Sequence, residues 1–310
     1  GSTNYKAIQS LMRRCVMNDN GTVNYYLHPH NSNYKADGTA ADLTGASGNV
    51  MVEVPKFYYK YNYNTIAGVV HEHSISLTQL DGYTVHDAFV RGGVEKANRY
   101  YPAYLGYSTG SKLLSRSGVY PTVSQTRAQF RTLARANGAG WEQIDFLLYE
   151  AITLLMVIEY GTMNIQSALG QGRTALTGGA WAGGSLIGIN GLSNGVGNGT
   201  ANVTYAGSAD DAAADGSFMT YRGCENFFGN VWRMADGVIF KGTTNNKTMW
   251  YSTNPTEYNE TGTGYTNSGI VTAAANGYGR KLANTNKGFI VSDVTGGNSN
   301  AGTTDFYYTS

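Results

Sequence analysis

The sequence predicts an α+β protein with antiparallel sheets, two helices and long Gly/Asn-rich loops. Strand-like runs lie toward both ends of the 310-residue chain, and the middle changes to a helical apolar period. Glycine accounts for 41 residues, nearly twice the usual share of about 7%. Charged residues make up only 14%, so the connections are expected to be polar and uncharged.

Residues 1–48 carry short apolar pieces (Ile8, Leu11, Met12, Val16) and then a turn-rich polar tract, read as an N-terminal arm or small subdomain ahead of a main domain over 49–310. Residues 50–63 are β-branched and aromatic with partial alternation, and Pro55 confines them to an edge or a bulge. Further strand-like runs cover 84–90 and 100–107. Thr122-Val-Ser-Gln125 has the form of a capping box, and Ala128, Phe130, Leu133 and Ala134 share one helical face. This predicts a helix over 124–137, stopped at Asn137-Gly138. A second helix is expected over 141–160, apolar around most of its circumference and ended by Gly161. Residues 170–216 are dense in Gly, Ala, Ser and Asn and read as one surface excursion. Short strands are expected at 231–240, 248–252, 288–294 and 305–308.

Composition removes several function classes. Twenty-two Lys and Arg against 21 Asp and Glu leave a net charge of +1, which gives no field for nucleic acid or an anionic membrane. The most apolar run, 151–158, is eight residues long, against the roughly 20 needed to cross a bilayer. Cys15 and Cys224 form neither a disulfide framework nor a C-x-x-C site. No secretory signal opens the chain, and Gly1-Ser2 reads as a cut end or tag remnant.

The most informative stretch is Tyr221-Arg-Gly-Cys-Glu-Asn-Phe-Phe-Gly-Asn-Val-Trp-Arg-Met-Ala-Asp-Gly237. Gly229-Asn230-Val231-Trp232-Arg233-Met234 resembles the Gly-Asn-Val-Trp-Glu-Trp signature of the formylglycine-generating-enzyme type of C-type-lectin-like fold. The longer form looks most like phage and prophage tail proteins, among them relatives of the variable proteins of diversity-generating retroelements, typified by the major tropism determinant. The resemblance extends to Val52-Glu-Val-Pro-Lys-Phe-Tyr-Tyr, to Tyr100-Tyr-Pro-Ala-Tyr-Leu-Gly-Tyr and to the leader-like Asn18-Asp-Asn-Gly-Thr-Val-Asn-Tyr-Tyr-Leu27. It implies that Gly229 and Asn230 form a tight turn. It also implies that Trp232 anchors the core on a central strand, packed against Leu148, Ile152 and Leu155. The family's reactive cysteines lie downstream of the signature, and here no cysteine follows Cys224. The family's closing Trp-Arg and Gly-Gly strands would begin where residues 306–310 stand, so either they are missing here or this member ends differently.

Other constellations carry less. His28/His30 and His71/His73 are H-x-H pairs that could share a strand face and hold a metal, although exposed loop histidines are commoner. His86-Asp87 lacks a nucleophile motif and reads as structural. Asp210, Asp211 and Asp215 could contribute oxygens to a Ca²⁺ site, without EF-hand spacing. Glu150 and Glu159 read as buried carboxylates with local donors, and the paired glycines at 178–179 and 183–184 lack the context of a phosphate loop. Trp250, Tyr251, Tyr258 and Tyr265 sit among Asn, Ser, Thr and Gly, the mixture that suits a recognition surface. Packing of β-loops is the plainer alternative for each tyrosine.

The expectation is a non-enzymatic receptor-binding adhesin of a phage or prophage tail, exposed to the medium on the virion. It would engage a bacterial surface glycan or protein through Trp250, Tyr251, Tyr258 and Tyr265. A homotrimer held partly by residues 1–48, with other tail proteins as neighbours, would supply avidity. The alternatives are a purely structural tail component and an oxidoreductase of the formylglycine-generating or sulfoxide-synthase kind. No cofactor is expected beyond Ca²⁺.

Overall fold

The computed structural model describes residues 7–64, 68, 70–173, 187–203, 216–243, 246–272, 276–283, 287–290, 292–296 and 306–308. In chain order the first strands are β1 Arg13–Met17, β2 Val23–His28, β3 Asn31–Lys35, β4 Asn49–Pro55, β5 Tyr58–Asn64 and β6 Val70–Ser76. The short strands β7 Thr84–Val85, β8 Val90–Arg91, β9 Val94–Glu95, β10 Asn98–Pro102, β11 Tyr107–Ser108 and β12 Leu113–Leu114 follow. Helices α1 Arg127–Arg135, α2 Phe146–Tyr160 and α3 Ile165–Leu169 occupy the middle. Strands β13 Ala201–Val203, β14 Phe218–Tyr221, β15 Cys224–Glu225, β16 Val238–Thr243, β17 Asn246–Tyr251 and β18 Thr266–Thr272 come next. The last are β19 Asn276–Leu282, β20 Ser292–Gly296 and β21 Phe306–Tyr308.

The architecture is α+β, with antiparallel sheets and three α-helices among the described residues. The largest sheet has the order β10-β4-β1-β2-β3. Residues 13–35, read from the sequence as part of an arm, therefore supply three strands of the sheet that contains β4. Pro55 ends β4 and does not bulge it, and β4 is an inner strand with all but Pro55 buried. Its alternate residues serve two layers. Val50, Val52 and Val54 enter the main core with Val16, Tyr101 and Leu27, while Met51 joins Cys15 and Met17 in a small second cluster on the opposite face.

Helix α2 forms the centre of the main core. Its residues from Phe146 to Leu148 and from Glu150 to Met156 are buried, as an all-round apolar helix requires. It starts five residues later than its apolar pattern suggests, because the Asp145 carboxylate accepts from Leu148 N–H at 2.9 Å and caps it. Gly161 closes it in the left-handed region at φ 63°. Glu150 is buried and accepts the Ile290 amide at 2.7 Å. The capping box of α1 is Thr126 with Gln129, one turn after the expected Thr122 and Gln125. Ser124 is left-handed at φ 60°, so 122–125 cannot be helical.

Residues 187–199 are not a surface excursion: Ile187 and Ser193 are fully buried and Asn190 nearly so. The expected strand at 231–240 begins only at Val238. No helix among the described residues is long and apolar enough to cross a membrane.

Candidate functional site

The signature segment divides at Asn230. Its first part fastens residues 187–199 to the core. Glu225, buried, accepts Gly191 N–H at 2.8 Å, Ser193 N–H at 2.7 Å and the Ser193 hydroxyl at 2.6 Å. Arg14, also fully buried, answers with Nη2 to Ser193 Oγ at 2.6 Å and Nε to the Gly223 carbonyl at 2.8 Å. Burial raises the Glu225 carboxyl, and the Arg14 charge and the Ser193 and Gly191 donors oppose that rise. Gly229 and Asn230 both lie at positive φ, 77° and 65°, so the expected tight turn is present. Asn230 brackets Gly188, accepting its N–H at 2.7 Å and donating to its carbonyl at 3.1 Å.

The second part does not enter a strand. Trp232 is 81% exposed in an extended loop, which overturns its expected place as a core anchor against Leu148, Ile152 and Leu155. Phe227, buried and stacked on Tyr149 at 4.7 Å, packs in the core instead. Trp232 follows a turn that Asn230 and the Asp236 pairing hold at either end. Asp236 is wholly buried, binds Arg131 Nη2 at 2.8 Å, accepts Phe146 N–H at 2.8 Å and donates to Ile144 O at 2.9 Å.

Trp232 stands on a groove of about 690 Å³ that runs beside β10, the edge strand of the large sheet. Met51 and Tyr100 contribute from the sheet, and Trp141 and Met234 line it along with Trp232. Trp141 is positioned by its Nε1–H, which donates to the Asp19 carbonyl at 2.8 Å. Gly138 permits that approach, since a Cβ there would meet Asp19 O at 2.4 Å. Behind Tyr100, Glu53 accepts the Tyr26 hydroxyl at 2.8 Å and the Tyr100 hydroxyl at 3.1 Å, and pairs with Arg13.

The polar wall is charged. Arg91, Lys96, Arg99 and Arg233 line the groove against Glu142 and Asp145. Asp145 pairs with Arg99, and with Arg91 at 3.3 Å. Burial acts to raise its carboxyl, but Arg99, Arg91 and the Leu148 N–H hold it below the ordinary carboxylate range. Glu142 pairs with Arg135, which does not line the groove. Arg233 lies over the Phe227 ring at 5.6 Å, and its buried Nε and Nη1 have no hydrogen-bond partner.

No family model and no curated protein matches this chain.

The aromatic tract chosen from the sequence is mostly interior. Tyr251, Tyr258 and Tyr265 are 5%, 4% and 6% exposed, which corrects their expected role as surface contacts. Tyr251 donates to Asp87 at 3.3 Å and packs edge-on against Phe289, and Tyr258 and Tyr265 pack edge-on against each other. Tyr258 reaches the groove only indirectly, accepting from Arg91 Nη1 at 2.6 Å. Trp250 is part-buried, with Lys241 Nζ 4.5 Å from its ring. Trp141 and Gln143 look ordinary in their own sequence context, and Tyr100 and Arg233 stand out there only as parts of the resemblance, not as site residues.

Among the described residues no group of three or more His, Cys, Asp or Glu side chains is placed to hold a metal. Asp210, Asp211 and Asp215 lie outside the described residues. His71 and His73 do share a face of β6, but they pack on Tyr61 and Tyr63, and burial lowers His73 to about 4. His86 is structural: fully buried, it accepts Ala88 N–H at 3.1 Å. Burial raises the Cys15 and Cys224 thiols to about 12, far from the thiolate range at neutral pH.

Proposed function

We propose that this chain is a non-enzymatic receptor-binding module of a phage or prophage tail, of C-type-lectin-like fold, and that the groove beside β10 is its recognition site. One observation carries the reading: Trp232, 81% exposed, stands with Trp141 on a 690 Å³ groove. Exposing an indole forfeits burial, and an exposed aromatic on a concave, polar-rimmed surface is the usual mark of a binding site. The order of elements supports the lectin-like reading, with opening strands, the helices and then the Gly229-Asn230 turn. The raised, buried thiols weigh against the formylglycine-generating form of the oxidoreductase alternative, whose chemistry requires reactive cysteines. On a virion the module would act as a homotrimer beside other tail proteins, each weak site multiplied by avidity.

The test is attachment to host cells. The double variant Trp141→Ala, Trp232→Ala should remain folded and lose at least tenfold in cell binding. Wild-type attachment by the folded double variant would remove the groove from consideration. Light scattering of the chain at micromolar concentration checks the trimer, and a monomer would count against it.

A further inference from the structure

We infer that the groove binds a carboxylate-bearing sugar chain, with Arg233 as the carboxylate partner and Trp232 and Trp141 as platforms for the sugar rings. This deepens the receptor-site reading and rests on it.

The charge balance comes first. Of the four cations on the groove, Arg91 and Arg99 share Asp145, and Glu142 is paired with Arg135. Lys96 and Arg233 have no carboxylate partner among the described residues. Arg233 is the more telling, because its Nε and Nη1 are shielded from solvent and make no hydrogen bond of good geometry, and its polar neighbour, the buried Tyr101 hydroxyl, is neutral. A guanidinium held by a ring face and a neutral hydroxyl still lacks a countercharge. A carboxylate matches its planar donors, and the bond strengthens in a site from which water is displaced.

A second unpartnered group lies close by. Gln143, only 6% exposed, lines the groove and donates Nε2–H to the Met234 carbonyl at 3.4 Å, while its Oε1 has no donor. A buried amide oxygen without a donor is destabilising, and a ligand hydroxyl would supply the missing donor. The groove thus offers indole faces, a cation and an acceptor for O–H. The C–H face of a pyranose, its carboxylate and its hydroxyls meet those groups in turn. An acidic peptide added to the β10 edge is less favoured, since β10 has five residues and ends in Pro102, which has no N–H to donate.

Binding of trisaccharides to the full chain by titration calorimetry tests this. The probes are galacturonate, glucuronate and sialic-acid-terminated trisaccharides, each beside its carboxyl-reduced form. At least one acidic member should bind at least tenfold more tightly than its reduced partner, with the preference falling as salt rises. Arg233→Gln should erase that preference, and Arg233→Lys should restore part of it. Equal binding within every pair overturns the inference, and so does a preference that survives in Arg233→Gln. So does the absence of any binding while Trp232-dependent cell attachment persists. Attachment abolished by protease treatment of the cells but not by periodate would mean a protein receptor, overturning the sugar while leaving the groove as the site. The carboxyl-reduced probes need no variant, so they decide the matter even if Arg233→Gln does not fold.

Discussion

Residues 224–230 and 231–234 are adjacent in the chain, yet they meet opposite environments. In the first, Glu225 and Asn230 spend their hydrogen bonds on Gly191, Ser193 and Gly188, and Phe227 is sealed in the core. In the second, Trp232 and Met234 are 81% and 49% exposed on a groove. A single run of residues can therefore be scaffold for one half and surface for the other, with Asn230 at the junction. Buried polar groups hold the backbone so firmly that the following residues can be aromatic and exposed without collapsing inward.

Substitutions on the two sides of that junction should separate by several kcal/mol. The largest effects belong to the buried charges. Glu225→Ala strips the acceptor from three donors and leaves Arg14 buried without its countercharge, and Asp236→Ala takes from Arg131 the buried one of its two carboxylates, leaving only the half-exposed Glu260. Each should lose about 3–5 kcal/mol in urea unfolding. A loss no greater than that of a surface substitution would break the contrast.

Next comes acid sensitivity. Burial lowers His86 from 6.5 to about 4. Between those values the unfolded chain binds a proton that the folded chain refuses, so stability falls as pH drops from about 6.5 to about 4, by roughly 3 kcal/mol. His86→Gln should flatten that slope between pH 7 and pH 4.5, and an unchanged slope would assign the sensitivity elsewhere.

Asn230→Gly keeps a residue suited to φ 65° but removes both bonds to Gly188. It should lower stability by about 1–2 kcal/mol, measured by thermal unfolding. The smallest change is Trp232→Ala, within about 0.5 kcal/mol of wild type in the same measurement. A loss of 3 kcal/mol there would mean that the indole supports the fold and would erase the distinction between the two segments.

Much of the secondary structure was legible. The apolar run of α2, its Gly161 stop, the β-branched 50–54 and the Gly229-Asn230 turn each follow from local chemistry that the chain carries with it. The groove was not. Trp250, Tyr251, Tyr258 and Tyr265 have the polar, small-residue neighbours of a binding loop, but the tyrosines turn inward against Asp87, Arg91 and Phe289. Trp232 has the neighbours of a core anchor and faces solvent.

The sequence by itself determined the α+β class, the helix-rich middle and the absence of a charge excess that would serve nucleic acid, because composition and periodicity act over a few residues at a time. The tertiary structure alone decided which aromatics are wet. It brought Trp141, Tyr100, Gln143 and Arg233 to one groove from separate stretches of chain, and left Arg233 without a carboxylate by pairing Asp145 with Arg91 and Arg99. Burial and ion pairing depend on what the rest of the fold places alongside a residue, and no local pattern carries that information.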